Sequence, residues 1–223
     1  MEVKIDLHLH SKISKRNDSV YWKSNYDSIL KLKNEGIKIA AFSDHYKFSV
    51  KFYLEIKKLA STANILILPA IEVPVLSSTQ KKADIIFVFS EQLKEEQLKL
   101  IEKISNNIFK KGIALLECNN IFKEFETIKI PHVGKSDYFK YEDLLKIEYD
   151  AIEISNKNNR NFKSVIKHKD IQTSIVAFSD THDWKRYPQT RTLITIIDQM
   201  EEISFKELKR CLQKNKDYTI NRS

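Results

Sequence analysis

Short apolar runs and amphipathic stretches alternate along this chain. The runs at 3–9, 37–42, 65–71, 84–89, 113–116, 128–130, 151–154, 174–178 and 193–197 read as strands. Between them, 25–35, 50–61, 91–111, 141–146, 159–169 and 205–213 read as amphipathic helices. Ser90 stands where an N-cap would and Gly112 where a helix would end, so the 91–111 helix is the best bounded of the set. Strands alternating with helices at this spacing predict βα units and a mainly parallel sheet. About seven such units in roughly 200 residues fit a closed or nearly closed barrel better than an open sheet. No Pro/Gly/Ser-rich linker divides the sequence, which predicts one domain over 1–223, with a catalytic core at about 3–200 and a C-terminal helix and short tail at 204–223.

Composition narrows the class. Of 223 residues, 42% are hydrophobic, enough for a sizeable core, and 30% are charged, which implies an ion-rich surface. No run approaches the roughly 18 apolar residues that span a bilayer, so no membrane association is expected. The N-terminus enters a strand-like Val3-Lys4-Ile5-Asp6-Leu7 with no signal-peptide pattern. Cys118 and Cys211 are too few and too isolated for a disulfide framework or a zinc knuckle, which suits a reducing cytoplasm. A net charge of +8 and a pI near 9.2 favour anionic partners, phosphate esters and nucleic acid first among them. Lysine is nonetheless spread along the whole chain, as a compositional bias would spread it, and charge alone does not mark a nucleic-acid stripe.

The histidines change the picture. Five of the six fall in four short motifs, each closing a strand-like run: Asp6-Leu7-His8-Leu9-His10, Ser43-Asp44-His45, Pro131-His132 and Ser179-Asp180-Thr181-His182. The sixth, His168, lies in the polar Lys167-His168-Lys169-Asp170 and reads as part of a solvated helix end. Imidazole and carboxylate together bind divalent first-row metals. In a βα barrel the C-terminal strand ends meet at one mouth. That mouth would collect His8, His10, Asp44, His45, Glu72, His132, Glu153, Asp180 and His182. His8 and His10 are two apart, so on a strand they project from one face. An H-x-H alone is more often an ordinary polar strand end, and Glu72 alone would pass for a surface glutamate; together, Glu72 becomes the natural bridge between two cations. No nucleophilic side chain is evident, since neither Cys118 nor Cys211 has an adjacent base.

The ordered set His8-x-His10, Ser43-Asp44-His45, Ile71-Glu72, Pro131-His132 and Ser179-Asp180-x-His182 resembles the PHP (polymerase and histidinol phosphatase) superfamily, from Asp6 to about Tyr218. The resemblance implies a distorted (β/α)7 TIM-like barrel holding two or three divalent metal ions (manganese, iron or zinc), and hydrolysis of a phosphate ester by metal-activated water. The stretch from Ser179 through Arg191-Thr192-Leu193 to the last helix is similar to PHP modules that accompany SMC-like or AAA-type ATPases. That similarity implies an ATPase partner and a DNA, RNA or nucleotide substrate.

Carried over by motif, His8, His10, Glu72 and Asp180 would hold one metal and His45 and His182 a second, with Glu72 and His132 reaching a third or sharing the second. Two positions depart from the family pattern: Asp18 is the only plausible occupant of the loop ligand after the first strand, and Asp84 stands where many members have a histidine. Asp44 and Glu153 would support the ligands, Asp44 by orienting His45, because ligating histidines usually give their other N–H to a carboxylate or carbonyl. His132, His182 and Asp180 form the expected catalytic set, with either histidine protonating the leaving group if it is not committed to metal. Lys135, Arg160, Lys185, Arg186 and Arg191 are candidate phosphate-binding cations; Arg186 and Arg191 gain weight from following the Asp180-x-His182 motif. The loop 15–22, with Tyr21 and Trp22 beside Lys15 and Arg16, suits either base stacking or a hydrophobic lid. A small-molecule phosphomonoesterase of the histidinol phosphatase type and a non-catalytic partner-binding module are the alternatives. A plain amidohydrolase barrel also opens with H-x-H, but would carry a metal-bridging lysine that nothing here convincingly supplies.

Overall fold

A computed structural model describes residues 1–14, 22–108, 112–133, 139–154, 159–168, 173–188, 193–213 and 219–222. The chain opens with β1 (Val3–Leu9), α1 (Asn25–Asn34), β2 (Ile37–Phe42) and α2 (Val50–Ser61). Next come β3 (Leu66–Leu76), β4 (Lys82–Phe89), α3 (Glu95–Ile108) and the short β5 (Ile113–Ala114). The second half holds β6 (Thr127–Pro131), α4 (Tyr141–Leu144), β7 (Ala151–Glu153), α5 (Arg160–Val165), β8 (Ser174–Val176), β9 (Leu193–Ile197), α6 (Phe205–Gln213) and β10 (Thr219–Arg222). No described helix is long and apolar enough to cross a membrane.

Eight strands form one curled sheet in the order β10-β9-β1-β2-β3-β4-β6, with β5 added beside β3; β7 and β8 form a separate parallel pair. Among the described residues, the β1-β2, β2-β3 and β3-β5 pairings of the large sheet are parallel, whereas β9-β1, β10-β9, β3-β4 and β4-β6 are antiparallel. The β7-β8 pair meets the large sheet through single bridges, His132 to Glu153 on one side and Leu9 to Thr181 on the other. The wall is therefore a mixed, partial barrel, neither the mainly parallel closed sheet that the strand–helix pattern predicts nor the (β/α)7 barrel that the family resemblance implies. The physical cause lies after residue 71. The strand continues to Leu76 and turns back at once, with Ser77 N–H donating to the Lys81 carbonyl at 3.0 Å and Gln80 in the left-handed region at φ +58°. With no helix between them, β3 and β4 must pair antiparallel.

Two apolar layers hold this wall. The inner one joins Val3, Ile5 and Leu7 to Leu68, Ala70, Ile86, Val88, Ile128, Ile130 and Val176, and is closed from below by Phe205, Leu208 and Leu212 of α6. The outer one packs Ile29 and Leu32 of α1 and Phe52, Tyr53 and Ile56 of α2 against Ile67, Ile71, Ile85 and Phe87. Both helices begin at a serine cap: Ser24 Oγ accepts from Asp27 N–H at 3.0 Å, and Ser49 Oγ from Phe52 N–H at 3.4 Å. The third helix departs from expectation. Ser90 Oγ accepts from Gln92 N–H at 3.2 Å and closes a local turn, so α3 starts later, at Glu95. The predicted strand 113–116 likewise stops at Ala114, where Leu115–Asn119 winds into a 3₁₀ turn.

Candidate metal centre

The strands β3, β6, β7 and β8 are each apolar on the inner face up to the candidate ligand. Leu68 and Ala70 lead to Glu72, Ile128 and Ile130 to His132, Ala151 to Glu153, and Val176 and Phe178 to Asp180. The alternation of a strand puts these polar residues in one layer above the apolar stack. β1 reaches the same layer by a bulge. Its register against β2 runs from Asp6 opposite Ala40 to Leu9 opposite Phe42, which leaves one extra residue in β1. Strict alternation would keep Leu7 and Leu9 on one face, yet Leu7 packs in the inner layer and Leu9 in the outer. The extra residue lets His8 and His10 both turn inward, a re-aiming that bulges commonly produce.

The result is a compact set of nitrogen and oxygen donors. Among the described residues, three groups have their ligand atoms within 4.8 Å of one another: His10, His45 and His182; His8, His10 and Glu72; and His8, His132 and Glu153. Asp180 joins them, with Oδ1 at 3.2 Å from His10 Nε2 and 3.4 Å from His8 Nε2. Glu72 is the most central carboxylate: Oε1 lies 3.3 Å from His8 Nε2, Oε2 lies 3.9 Å from His10 Nε2, and His45 Nδ1 presses against Oε2. His45 Nε2 and His182 Nε2 are 3.2 Å apart. His8, His10, Glu72 and Glu153 are wholly buried, and the site opens to solvent past His182, whose side chain is 33% exposed.

Both rims of the site hold backbone in the left-handed region, Asp180 at φ +47° and Tyr46, next to His45, at φ +42°. Such conformations are costly for non-glycine residues and collect at functional sites.

Burial and neighbouring charge set the protonation of the donors. Burial pushes the His8 pKa down, but the carboxylates of Glu153, Asp180 and Glu72 outweigh it and hold that imidazole well above its ordinary value. For His10 burial prevails over the pull of Asp180 and Glu72, helped by His8 and His45, and its pKa falls well below the ordinary value. Burial would raise Glu72, yet His8, His45 and His10 drive its pKa well below the carboxylate range. The site thus contains an ionised carboxylate and a neutral imidazole, the forms in which these groups ligate metals.

Supporting contacts surround the donors. Glu153 places both oxygens 2.9 Å from His8 Nδ1, leaving His8 Nε2 to face Glu72 and Asp180. Asp44 faces Ser11, accepting from its N–H and from its Oγ–H, each at 2.6 Å. Ser14 Oγ lies 3.2 Å from His10 Nδ1 and accepts from His45 N–H at 3.2 Å. Asp84 starts the inward row of β4 two residues before Ile86, is partly exposed, and lies outside the three groups; its carbonyl accepts from His132 N–H at 3.0 Å. Arg186 extends into solvent with its side chain 79% exposed and Nε 3.5 Å from Asp183. Arg160 opens α5, and Lys185 is exposed in the turn after His182. Asp18, Tyr21, Lys135 and Arg191 lie outside the described residues. Trp22 packs edge-on against Phe42, Phe52 and Trp184, with ring centroids 5.5–5.9 Å apart. Ser11, Ser14, Trp184 and Tyr187 carried no signal in the sequence beyond their nearness to the histidine motifs.

No family model matches the chain, and no curated protein matches it in sequence. Solved structures do match it in fold. One is a two-domain protein of Bacteroides vulgatus containing a predicted PHP-like metal-dependent phosphoesterase, with a TM-score of 0.62 at 12% identity over 100% of this chain. The chain spans 65% of that protein's length. A candidate metal-dependent phosphoesterase of Bifidobacterium adolescentis matches with a TM-score of 0.57 at 11% identity, over 80% of this chain and 87% of its own. An amidohydrolase of Chromobacterium violaceum, solved with bound sulfate and no metal, gives 0.52 at 13% identity over 73% of this chain and 80% of its own. At these identities the likeness establishes a shared fold.

Proposed function

We propose that this chain is a metal-dependent phosphoesterase of the PHP type, acting through two or three divalent cations held by His8, His10, His45, Glu72, His132, Asp180 and His182. The observation that carries the reading is Glu72. Its carboxylate is wholly buried, and neither oxygen is in hydrogen-bond geometry although histidine nitrogens crowd it; His8 Nε2 is in the same condition. His8, held protonated, brings one positive charge to three carboxylates, Glu72, Glu153 and Asp180, and burying the charge that remains is very costly unless a further cation compensates it. The donor set of imidazole and carboxylate suits manganese, iron or zinc.

Divalent cations at such a site supply Lewis acidity, drawing phosphoryl oxygens and making water a nucleophile near neutral pH. The protein's own groups do the rest. Glu153 fixes the His8 ring, and Ser14 the His10 ring, so that each presents Nε2 inward. The apolar layer of Leu68, Ala70, Ile128 and Ile130 floors the site and keeps water out from below. His182, the most exposed donor, stands at the solvent-facing side of the site, where the ester would enter. The net charge of +8 suits an anionic ester, and a nucleic-acid end or nucleotide is the carrier this reading takes first. Cys118 and Cys211, buried and unpaired, fit a reducing cytoplasm.

The test is a rate assay with Mn²⁺ on a phosphomonoester and on a fluorescent single-stranded oligonucleotide, with Asp180→Ala and Glu72→Ala as controls. Oligonucleotide cleavage that vanishes in both controls supports the nucleic-acid reading, and monoester turnover alone moves the substrate to a small phosphate ester. Full activity in either control would refute the site.

A further inference from the structure

The segment that follows Asp180-Thr181-His182 folds back beneath the donors. Buried Trp184 donates its indole N–H to the His10 carbonyl at 2.7 Å. Three residues on, the Tyr187 hydroxyl donates to Asp6 Oδ2 at 3.1 Å. Asp6 Oδ1 in turn accepts from Ser179 N–H at 3.2 Å and from His8 N–H at 3.4 Å. The two rings stack on each other at 5.0 Å, and Trp184 also stacks on Phe42 at 5.7 Å, so neither is free to swing away.

These bonds join the two stretches that carry four of the donors. The end of β1 bears His8 and His10, and the loop after β8 bears Asp180 and His182. Among the described residues, the backbone joins these stretches by the single Leu9–Thr181 bridge, which contains the His10 N–H to Thr181 carbonyl bond at 3.1 Å. A single bridge leaves the two free to slide, and β1 is bulged at that point, so the ladder by itself sets neither the spacing nor the tilt of the imidazoles.

We propose that Trp184 and Tyr187 are positioning residues of the metal centre: acting through the His10 carbonyl and the Asp6 carboxylate, they hold the bulged end of β1 in register with the Asp180 loop. This rests on the metal-dependent reading above. Groups one step removed from the ligands typically change metal affinity or activity about 10- to 100-fold when removed. Trp184→Phe deletes the indole N–H and keeps an aromatic ring in the stack; Tyr187→Phe deletes only the hydroxyl.

The experiment is a Co²⁺ titration against a competing chelator, with the visible spectrum of each complex recorded, on wild type, both variants, Glu72→Ala and Leu32→Ala. Leu32 lies on α1 in the outer layer, outside the donor groups, and its truncation controls for lost stability. Trp184→Phe and Tyr187→Phe are expected to weaken Co²⁺ binding at least about tenfold and to alter the spectrum, while Leu32→Ala keeps wild-type affinity and spectrum. Wild-type binding and spectrum in both phenylalanine variants would overturn the positioning role, as would an equal loss in Leu32→Ala. If Glu72→Ala loses Co²⁺ while the two variants do not, only the positioning role falls. Undiminished binding in Glu72→Ala would remove the metal-site reading itself.

Discussion

Asp6 offers a stability test that needs no metal. Its carboxyl is wholly buried, and burial pushes its pKa from 3.8 up to about 6, against the partial relief given by Ser179, His8 and Tyr187. Because the folded value lies above the unfolded one, the unfolded chain ionises first as pH rises. Asp6 therefore contributes its full share of stability below pH 3.8 and loses it as pH climbs through about 6. At about 1.4 kcal/mol per pH unit, the rise from 3.8 to about 6 amounts to about 3 kcal/mol. Asp6→Asn removes that titration while keeping an acceptor for Ser179 N–H and offering an N–H to the Tyr187 oxygen. The assay is urea unfolding of chelator-treated wild type and variant from pH 4 to 7.5. The histidines titrate in both proteins and largely cancel in the difference. The variant should gain on wild type with rising pH, by up to about 3 kcal/mol, the gain levelling off past pH 6.5. A difference that stays flat across this range, or moves in favour of the aspartate, would refute the reasoning.

Three further outcomes follow from the same structure. Leu32→Ala empties a fully buried position in the outer layer and should cost about 2–5 kcal/mol in denaturant unfolding; a loss below about 1 kcal/mol would mean α1 is not packed as described. Cys118 is buried, with its thiol pushed up to about 12, so a disulfide reagent at pH 8 should label it slowly in the folded protein and rapidly in denaturant. Fast labelling of the native chain would contradict its burial beside Phe122. Finally, the carboxylates hold His8 protonated well above its ordinary range, and a ligating imidazole must be neutral, so Zn²⁺ added at pH 7 in weak buffer should release protons. An indicator dye showing none would place His8 outside the ligand set.

Much of the site was legible because its chemistry is written in single residues at strand ends. The runs 3–9 and 37–42 are strands, their boundaries follow from apolar content, and a histidine or carboxylate at the end of each inward row is visible as a change of residue type. Helices α2 and α6 were equally plain, since one apolar stripe decides each. The reading failed where the outcome depended on what a segment pairs with. Residues 72–83 carry no helix, and only the pairing of β3 with β4 shows that two strands expected to run parallel turn back as a hairpin. Ser90 has the chemistry of an N-cap, yet the turn it closes comes before the helix.

The sequence by itself determined the inventory: which residues could bind a cation, on which strands, and in what order. Tertiary structure alone decided the extra residue that turns both His8 and His10 inward, the seat of Asp44 against Ser11, and the bonds from Trp184 and Tyr187 to the end of β1. The reason is physical. Local propensity and burial pattern follow from neighbours a few residues away, whereas register, bulges and long-range hydrogen bonds join residues far apart in the chain, as the 181 positions between Tyr187 and Asp6 show.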